Sequence, residues 1–393
     1  MRVMHVADAH VDADRHGRRN PLTGRSTAIE SNLACFNHVV DQALALNVDA
    51  FILAGDTWNS GRPSAEMISV VTDRVRDLTD AGITVVAEDG NHGRHGVHLH
   101  DRGPSALMTQ AGARVYNTID VLQVTTKSGD LSILTVPWPE RARILAEMGL
   151  TDLTDPAQVD KAAAGWVAAE MDDAVERTDI SGPLIAASHI TVSDAQLTRG
   201  SETIVNTRGI FEEVILPLGA FTDLGVKYTA LGHIHHQQHL GDIASYAGSL
   251  NRLTFGEAED VKGALLIDLS GEQITRTNIE TPARKMLNLR LDLDTDPDLT
   301  TIEPGTLIKA HLAPGERQVP EAIRDAIKAA GAYIVRTKTQ PQKVDPNQQR
   351  EKLAENIDPA LALARWAETR GLDEAALADL TARARIVNDR CHH

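Results

Sequence analysis

Short apolar runs alternate with amphipathic segments through the first 280 or so residues, a pattern typical of strands joined by helices in a layered α/β domain. Each apolar run is four to six residues long and ends in polar residues, as buried strands do. The predicted strands are VMHVAD (3–8), FILAGD (51–56), ITVVAEDGN (83–91), LSILTVP (131–137), LIAASH (184–189) and YTALGH (228–233).

The segments between these strands have apolar residues at helical spacing. Residues 31–46 predict a helix capped by Ser31 whose buried face carries Leu33, Phe36, Val40 and Leu44. A second helix is predicted over residues 64–80. Ala-rich, charged sequence between residues 138 and 183 predicts helices on the outside of a sheet.

The composition changes near Pro282, where we expect a domain boundary. Residues 283–342 read as strand, strand, helix and strand, which predicts a small separate α/β domain. Residues 343–393 begin with a polar, Pro-containing linker and continue with apolar positions at helical spacing, which predicts a helical tail. The first domain would then span residues 1–282.

Charge and composition narrow the class of protein. The 393-residue chain has no apolar stretch long enough for a membrane span and no signal pattern at its N-terminus, so we expect a cytosolic protein without a membrane partner. Its two cysteines form no zinc or disulfide motif. A formal net charge of −16 opposes free-standing DNA binding, unless bound cations or a partner subunit supply positive charge.

Polar residues follow five of the predicted strands directly. In an open α/β domain the carboxyl ends of the strands gather at one edge of the sheet, so these residues can converge from distant parts of the chain. They are Asp8 and His10, Asp56, Asn91 and His92, His189, and His233 and His235.

Carboxylate, carboxamide and imidazole donors without cysteine suit manganese, iron or zinc ions. One ion does not need so many ligands. Two ions roughly 3.5 to 4 Å apart would use them all and would form a clamp for in-line attack of hydroxide on phosphorus. Each motif alone is more typical of a turn or a capped strand end, and only the five together favour a two-metal site.

The motifs DAH, GDTW, GNH, SH and GHIH resemble those of the calcineurin-like metallophosphoesterases. SHITV, the turn at residues 200–202, YTALGHIHHQQ and YAGSLNRLTFGE are similar, more narrowly, to the SbcD nucleases, the bacterial and phage counterparts of the eukaryotic break-repair nuclease. The resemblance covers about residues 1 to 262 well and the remainder only in layout.

The resemblance implies a role for each polar residue at the strand ends. The first metal would be held by Asp8, His10 and His235, and the second by Asn91, His189 and His233. Asp56 would bridge the two metals. His92 would stabilise the phosphorane or protonate the leaving oxygen. Gly93 stands where the family usually has an acidic residue after Gly-Asn-His. The carboxylate expected to orient His92 is therefore absent from its usual place, and Asp89 is a candidate substitute.

The resemblance also implies an architecture and partners. It predicts a four-layer β-sandwich flanked by helices, a small α/β domain at 283–342 that caps the DNA site, and a helical tail that docks on an SbcC-type ATPase. The chain contains no phosphate-binding loop of its own, so the ATPase must be another chain. Residues 31–46 and 64–80 would build a homodimer, although ordinary packing against the sheet is the alternative. The expected activity is manganese-dependent exonuclease and endonuclease cleavage of DNA.

Alternatives remain open at this point. A phosphoprotein phosphatase or small cyclic-nucleotide phosphodiesterase on the same fold would explain the acidic composition more easily. An inactive scaffold is the third interpretation, and the full set of ligands opposes it. The basic residues at 14–25 are read either as a DNA-backbone contact or as a solvated loop. His95, His98 and His100 are interpreted as rim histidines, like His236 and His239, and His5 as a packed strand residue.

Overall fold

A computed structural model describes residues 1–94, 103–196, 213–271, 273–292 and 297–340. The chain divides into two compact units, Met1–Lys338 and Thr339–His393. The described residues belong almost entirely to the first unit. The predicted helical tail therefore lies outside the described residues, and the domain boundaries at 282 and 342 stay predictions.

The core of the first unit is a pair of six-stranded sheets. The first sheet comprises β1 (Arg2–Val6), β2 (Ala50–Leu53), β3 (Thr84–Ala87), β4 (Arg114–Val115), β13 (Gly263–Asp268) and β14 (Thr275–Glu280), in the spatial order β14-β13-β1-β2-β3-β4. The strands β1 to β4 are parallel to one another, whereas β13 pairs antiparallel with β1 and with β14.

The second sheet has the spatial order β11-β12-β10-β7-β6-β5. Its strands are β5 (Asp120–Thr126), β6 (Gly129–Val136), β7 (Leu184–His189), β10 (Tyr228–Gly232), β11 (Gln238–Leu240) and β12 (Ala244–Tyr246). The strands β6, β7, β10 and β12 are parallel, and β5 and β11 close the two edges antiparallel. A short parallel pair, β8 (Thr191–Val192) and β9 (Ile215–Leu216), lies apart from both sheets.

Among the described residues of this part of the chain, five helices flank the sheets and a sixth is a short turn. They are α1 (Thr27–Ala45), α2 (Ala65–Asp80), α3 (Gly90–Arg94), α4 (Arg141–Glu147), α5 (Pro156–Glu176) and α6 (Gly219–Thr222). The segments Pro104–Ala111 and Phe255–Glu257 form 3-10 helices.

The alternation of side chains along each strand builds the four layers. In β1, Val3 faces the second sheet, whereas Met4 and Val6 face α1 and α2. In β7, Ile185 faces the first sheet, whereas Ala186 faces α5. Both faces of these strands are covered, which explains their nearly continuous apolar sequences. The predicted α/β four-layer sandwich is confirmed.

Most predicted elements are confirmed, with one correction at the start of α1. The helix begins at Thr27, and Ser26 rather than Ser31 is its cap, because the Ser26 hydroxyl accepts from Ala28 N at 3.2 Å. Ser31 lies inside the helix, where its hydroxyl accepts from the Asn251 side chain. The predicted start of α2 agrees with its Ser64 cap.

The apolar faces of α1 and α2 are buried against the outer face of the first sheet. Phe36 and Val40 of α1 and Val71 and Val75 of α2 are fully buried there. These contacts satisfy the alternative interpretation, ordinary packing against the sheet. The homodimer through the same helices stays a prediction.

Residues beyond 282 form a three-stranded sheet in the order β15 (Met286–Leu291), β16 (Leu307–Leu312) and β17 (Tyr333–Thr339). The amphipathic helix α7 (Glu321–Ala329) covers it through Ile327, which packs with Leu289 and Ile308. The predicted strand, strand, helix and strand pattern is confirmed. No helix within the described ranges is both long and apolar enough to cross a membrane.

His5 is buried between the two sheets, as predicted for a packed strand residue. Its Nε2 donates to Leu231 O at 3.1 Å, so Nδ1 accepts from the Tyr228 hydroxyl at 2.9 Å. Burial lowers the pKa of His5 to about 3, although the bond to Leu231 O opposes the shift. The imidazole is therefore neutral in the folded protein.

This neutral His5 should make the fold sensitive to acid. The pKa of His5 is lower in the folded protein than in the unfolded chain. Its contribution to the free energy of unfolding is therefore present above about pH 6.5 and is lost as the pH falls toward the folded pKa of about 3. Between pH 7 and pH 5 we expect the free energy of unfolding to fall by about 2 kcal/mol more in the wild type than in His5→Gln. Urea denaturation in EDTA measures this, and parallel pH profiles for both proteins would contradict it.

Candidate metal centre

The predicted site residues all lie at the carboxyl ends of parallel strands. Asp8 follows β1, Asp56 follows β2, His189 ends β7 and His233 directly follows β10. The remaining four are His10 and His235 in the loops after β1 and β10, and Asn91 and His92 in the first turn of α3. The edges of the two sheets meet here, since His189 Nδ1 donates to Ala54 O of the first sheet at 2.8 Å.

One group of side chains is formed by Asp8, His10 and His235, all buried, whose ligand atoms lie within 4.8 Å of one another. The Nε2 atoms of His10 and His235 are 3.2 Å apart, and His235 Nε2 is 4.0 Å from the Asp8 carboxylate. Two imidazole nitrogens and a carboxylate oxygen thus converge on one small volume.

A second group contains Asp8, Asp56 and His189, again with ligand atoms within 4.8 Å of one another. The side-chain oxygen of Asn91 adds to it, at 3.0 Å from His189 Nε2 and 3.2 Å from His233 Nδ1. Asp56 Oδ2 lies 3.2 Å from His189 Nε2 and 4.0 Å from His10 Nε2. Asp56 of the second group thus also approaches His10 of the first, and Asp8 belongs to both groups.

The arrangement requires positive charge. His189 Nδ1 donates to a carbonyl, so Nε2 carries a lone pair unless it is protonated as well. That lone pair would face the oxygens of Asp56 and Asn91, and a proton or a metal ion between them is needed to relieve the repulsion. Burial alone would lower the pKa of His189, but Asp56 and Asp8 outweigh it and raise the pKa to about 10. Burial raises the pKa of Asp8, whereas the surrounding histidines overcome burial at Asp56 and lower the pKa of that carboxyl. Buried oxygen and nitrogen donors of this kind fit divalent cations.

The backbone of the site is unusual. Asp8, His10, Asp56 and His233 all have positive φ angles, of 49°, 41°, 49° and 94°. Non-glycine residues rarely adopt this region, and clusters of them occur where a fold holds functional groups in place. The tight turns after the strands thus aim these side chains into the site rather than along the sheet.

Gly90 is needed for the close approach of two of these turns. It has a φ of +67°, and a Cβ atom there would lie 2.3 Å from Asp56 Oδ1 and 2.5 Å from Asp56 N. Asp56 Oδ1 in turn accepts from His92 N at 2.9 Å. The glycine of the Gly-Asn-His motif therefore lets the Asp56 carboxylate cap the turn that carries Asn91 and His92.

His92 borders the same volume, with its ring centroid 5.0 Å from that of His10. Its Nδ1 lies 3.3 Å from Asn59 O, and Asn59 N donates to Asp12 at 2.5 Å. Asp89, the proposed substitute for the missing acid, accepts from Ser105 N at 2.8 Å. A Cβ atom at Gly93 would lie 2.8 Å from the Asp89 Cβ atom, so Asp89 fills the space that a side chain at position 93 would need.

Two buried glutamates in contact with the site histidines were not predicted. Glu213 lies 3.4 Å from His233 Nε2, and Glu257 lies 3.6 Å from His235 Nδ1. Glu257 is the last residue of the YAGSLNRLTFGE motif, which was the one sequence signal for it. Glu213 had no comparable signal.

The histidines interpreted as lying on the rim fall into two classes. His236 contacts Asp260 at 3.1 Å, and the exposed His239 contacts the Ser245 hydroxyl at 2.9 Å. Neither belongs to the two groups of ligand atoms. His95, His98, His100 and the turn at 200–202 lie outside the described residues.

A four-layer sandwich with two adjoining groups of oxygen and nitrogen ligands fits a metal-dependent hydrolase. The family model for calcineurin-like phosphoesterases matches residues 1–237, and the chain belongs to that family.

Curated relatives are similar over longer stretches. The DNA double-strand break repair protein Mre11 of Aeropyrum pernix is 27% identical over 74% of this chain and 64% of its own length. The SbcD component of the nuclease SbcCD from Escherichia coli K12 is 22% identical over 90% of each chain, and that from Bacillus subtilis is 27% identical over 70% of this chain and 68% of its own. The chain thus spans under two thirds of the Aeropyrum relative and nine tenths of the Escherichia one.

Proposed function

We propose that this chain is a nuclease subunit that hydrolyses DNA phosphodiesters with two divalent metal ions, manganese in the native enzyme. The observation that supports the proposal is the approach of Asp56 Oδ2 to a buried histidine of each group, at 4.0 Å from His10 Nε2 and 3.2 Å from His189 Nε2. The names of the relatives supply the substrate, since one is a DNA double-strand break repair protein and two are components of a nuclease.

Seven residues would hold the ions. Asp8, His10 and His235 would bind the first, Asn91, His189 and His233 the second, and Asp56 both. Two bound ions supply a nucleophile at neutral pH and neutralise charge on the phosphoryl oxygens. Manganese accords with a set of oxygen and imidazole ligands that contains no cysteine.

His92 would act on the substrate and not on the metals. The Asn59 carbonyl accepts from Nδ1 and so fixes the orientation of the ring. In its protonated form the imidazole can donate from Nε2 to a phosphoryl oxygen or to the leaving oxygen, which is the task of a general acid.

DNA would reach the site beside the small sheet of residues 286–339. The Arg18 guanidinium of the basic 14–25 loop lies 4.2 Å from the Tyr333 ring centroid of β17, and Arg284 donates to Arg15 O at 2.8 Å. The first contact holds Arg18 next to β17, which carries Arg336 and Lys338, and the second holds Arg284 next to Arg15 in the same loop. A local basic surface of this kind supports phosphate-backbone binding by an otherwise acidic chain.

The partner would be an SbcC-type ATPase. The name of the Escherichia relative makes it one component of the nuclease SbcCD, and so one chain of a complex. We assign the docking role to the helical segment predicted within residues 343–393, and a homodimer to α1 and α2.

The test is manganese-dependent cleavage of end-labelled single- and double-stranded DNA by the wild type and by Asp56→Ala. We expect cleavage by the wild type and a loss on the order of a thousandfold in the variant, because metal stabilisation of developing charge amounts to several kcal/mol. Asp172→Ala on the exposed face of α5 is the matched control and should cleave like the wild type.

A small phosphodiester and a phosphomonoester are assayed in parallel. Turnover of either, without cleavage of DNA even when an SbcC-type ATPase is added, would refute the proposed substrate and favour a phosphatase or small-molecule phosphodiesterase. Equal DNA cleavage by the wild type and Asp56→Ala would refute the metal site.

A further inference from the structure

The segment from Ser249 to Lys262, between β12 and β13, contains most of the YAGSLNRLTFGE motif, and we call it the anchoring segment. It provides no ligand atom to either group of the metal centre. Even so, Ser249, Asn251, Glu257 and Lys262 are all buried. A buried polar group destabilises the fold unless hydrogen bonds or ion pairs within the protein replace its bonds to water. The contacts of these four residues therefore indicate what the segment does.

Glu257 connects the segment to His235. Its Oε1 lies 3.6 Å from His235 Nδ1, and its Oε2 lies 2.8 Å from Lys262 Nζ and 3.2 Å from the Ser249 hydroxyl. A carboxylate placed behind Nδ1 favours the tautomer that presents the Nε2 lone pair to a metal ion.

Lys262 also fixes the backbone on which His235 stands. Its ammonium group donates to His235 O at 2.9 Å and to the Ser249 hydroxyl at 2.9 Å. The side chain is fully buried, so both the charge of Glu257 and the position of the His235 loop depend on it.

A second set of contacts leads from the same segment to His10. The Asn251 side chain donates to Asn32 Oδ1 at 2.8 Å, and Asn32 Nδ2 donates to His10 O at 3.0 Å and to Ala13 O at 2.9 Å. Asn32 is fully buried in α1. The loop that carries His10 is thus held by an amide pair that begins in the anchoring segment.

We propose that the anchoring segment positions the two histidines of the first metal and leaves the second metal unaffected, with Glu257 orienting His235 and Asn251 holding the His10 loop through Asn32. The inference rests on the proposed two-metal function. Glu213 has the corresponding task for the second metal, since it contacts His233 Nε2 at 3.4 Å and is held by the Thr191 hydroxyl at 3.0 Å. Each metal then has its own buried carboxylate behind one histidine.

The experiment measures manganese binding in the absence of DNA, by isothermal titration of the EDTA-stripped protein. Glu257→Gln should weaken one of the two binding steps by about 10- to 100-fold and leave the other unchanged, as loss of a carboxylate behind a metal-bound histidine does. Glu213→Gln is the matched variant and should weaken the other step. The double variant Glu213→Gln/Glu257→Gln should weaken both.

Thermal melting of each variant in EDTA is the control that shows whether the variant is folded. It is needed because Glu257→Gln removes the carboxylate closest to the buried Lys262. Glu257→Gln/Lys262→Met removes both charges and should reproduce the same selective loss of one ion. The inference is overturned if this variant binds both ions like the wild type, if both steps weaken equally, or if Glu257→Gln and Glu213→Gln weaken the same ion.

Metal titration also separates this inference from the proposed function. A wild type that binds two ions but never cleaves DNA would refute the proposed substrate only. A wild type that cleaves DNA, with Glu257→Gln binding both ions at wild-type affinity in a folded protein, would refute the anchoring role only.

Discussion

With His92 replaced by asparagine, the enzyme is expected to bind both metal ions and to lose on the order of 10²- to 10⁴-fold in kcat for DNA cleavage. The imidazole is the group that we assign to proton donation, and it lies beside His10 without belonging to either group of ligand atoms. The main-chain bond from His92 N to Asp56 survives the substitution, so the turn of α3 should keep its shape.

Two measurements decide the role of His92. Elemental analysis after equilibrium dialysis gives the number of bound manganese ions, and single-turnover cleavage gives the rate of the chemical step. His239→Asn, an exposed histidine on β11, is the control and should change neither. Wild-type cleavage by His92→Asn would remove His92 from its assigned role, and loss of an ion would instead make it a ligand or a support for one.

Gly90→Ala is expected to be nearly as damaging, although it removes no functional group. A Cβ atom at this position would lie 2.3 Å from the Asp56 carboxylate, so Asp56 and the Asn91 turn must move apart. Displacement of reacting groups by about 1 Å can cost about a hundredfold in rate. We expect at least that loss in kcat/KM together with weaker manganese binding.

Gly82→Ala is a closely matched control for this prediction. Gly82 has a φ of +75°, against +67° for Gly90, but has no atom within 4 Å of the added Cβ. Both variants should lose about 1 to 2 kcal/mol of stability from the left-handed backbone, and Gly90→Ala should lose more because of its clash with Asp56, as measured by urea denaturation. Only Gly90→Ala should lose activity, and a similar activity loss in Gly82→Ala would show that backbone strain alone is responsible.

The strand ends were predictable because buried parallel strands have a strong sequence signal. The apolar runs before Asp8, Asp56 and His189 mark where each strand stops, and sheet geometry brings the residues that follow to one edge. The residue pattern therefore predicted which side chains converge, without any knowledge of the order of the strands.

The supporting residues were harder to predict because their roles depend on tertiary contacts. Glu213 and Glu257 each lie close to a single site histidine without belonging to a periodic pattern themselves, and Asn32 appears in the sequence as one polar position in a helix. The start of α1 was misplaced for a related reason. The apolar face predicts a start near Leu33, whereas the first turn forms over Thr27 and is fixed by Ser26.

The distance along the chain between the site residues has a consequence for how the protein reaches its working state. His233 N donates to both oxygens of Asp8 at 3.1 Å, although 225 residues separate them, and the two belong to different sheets. Closing so long a loop costs entropy that is repaid only when the sheets dock. The metal centre therefore exists only where both sheets have come together, and an ion bound there would stabilise only such chains.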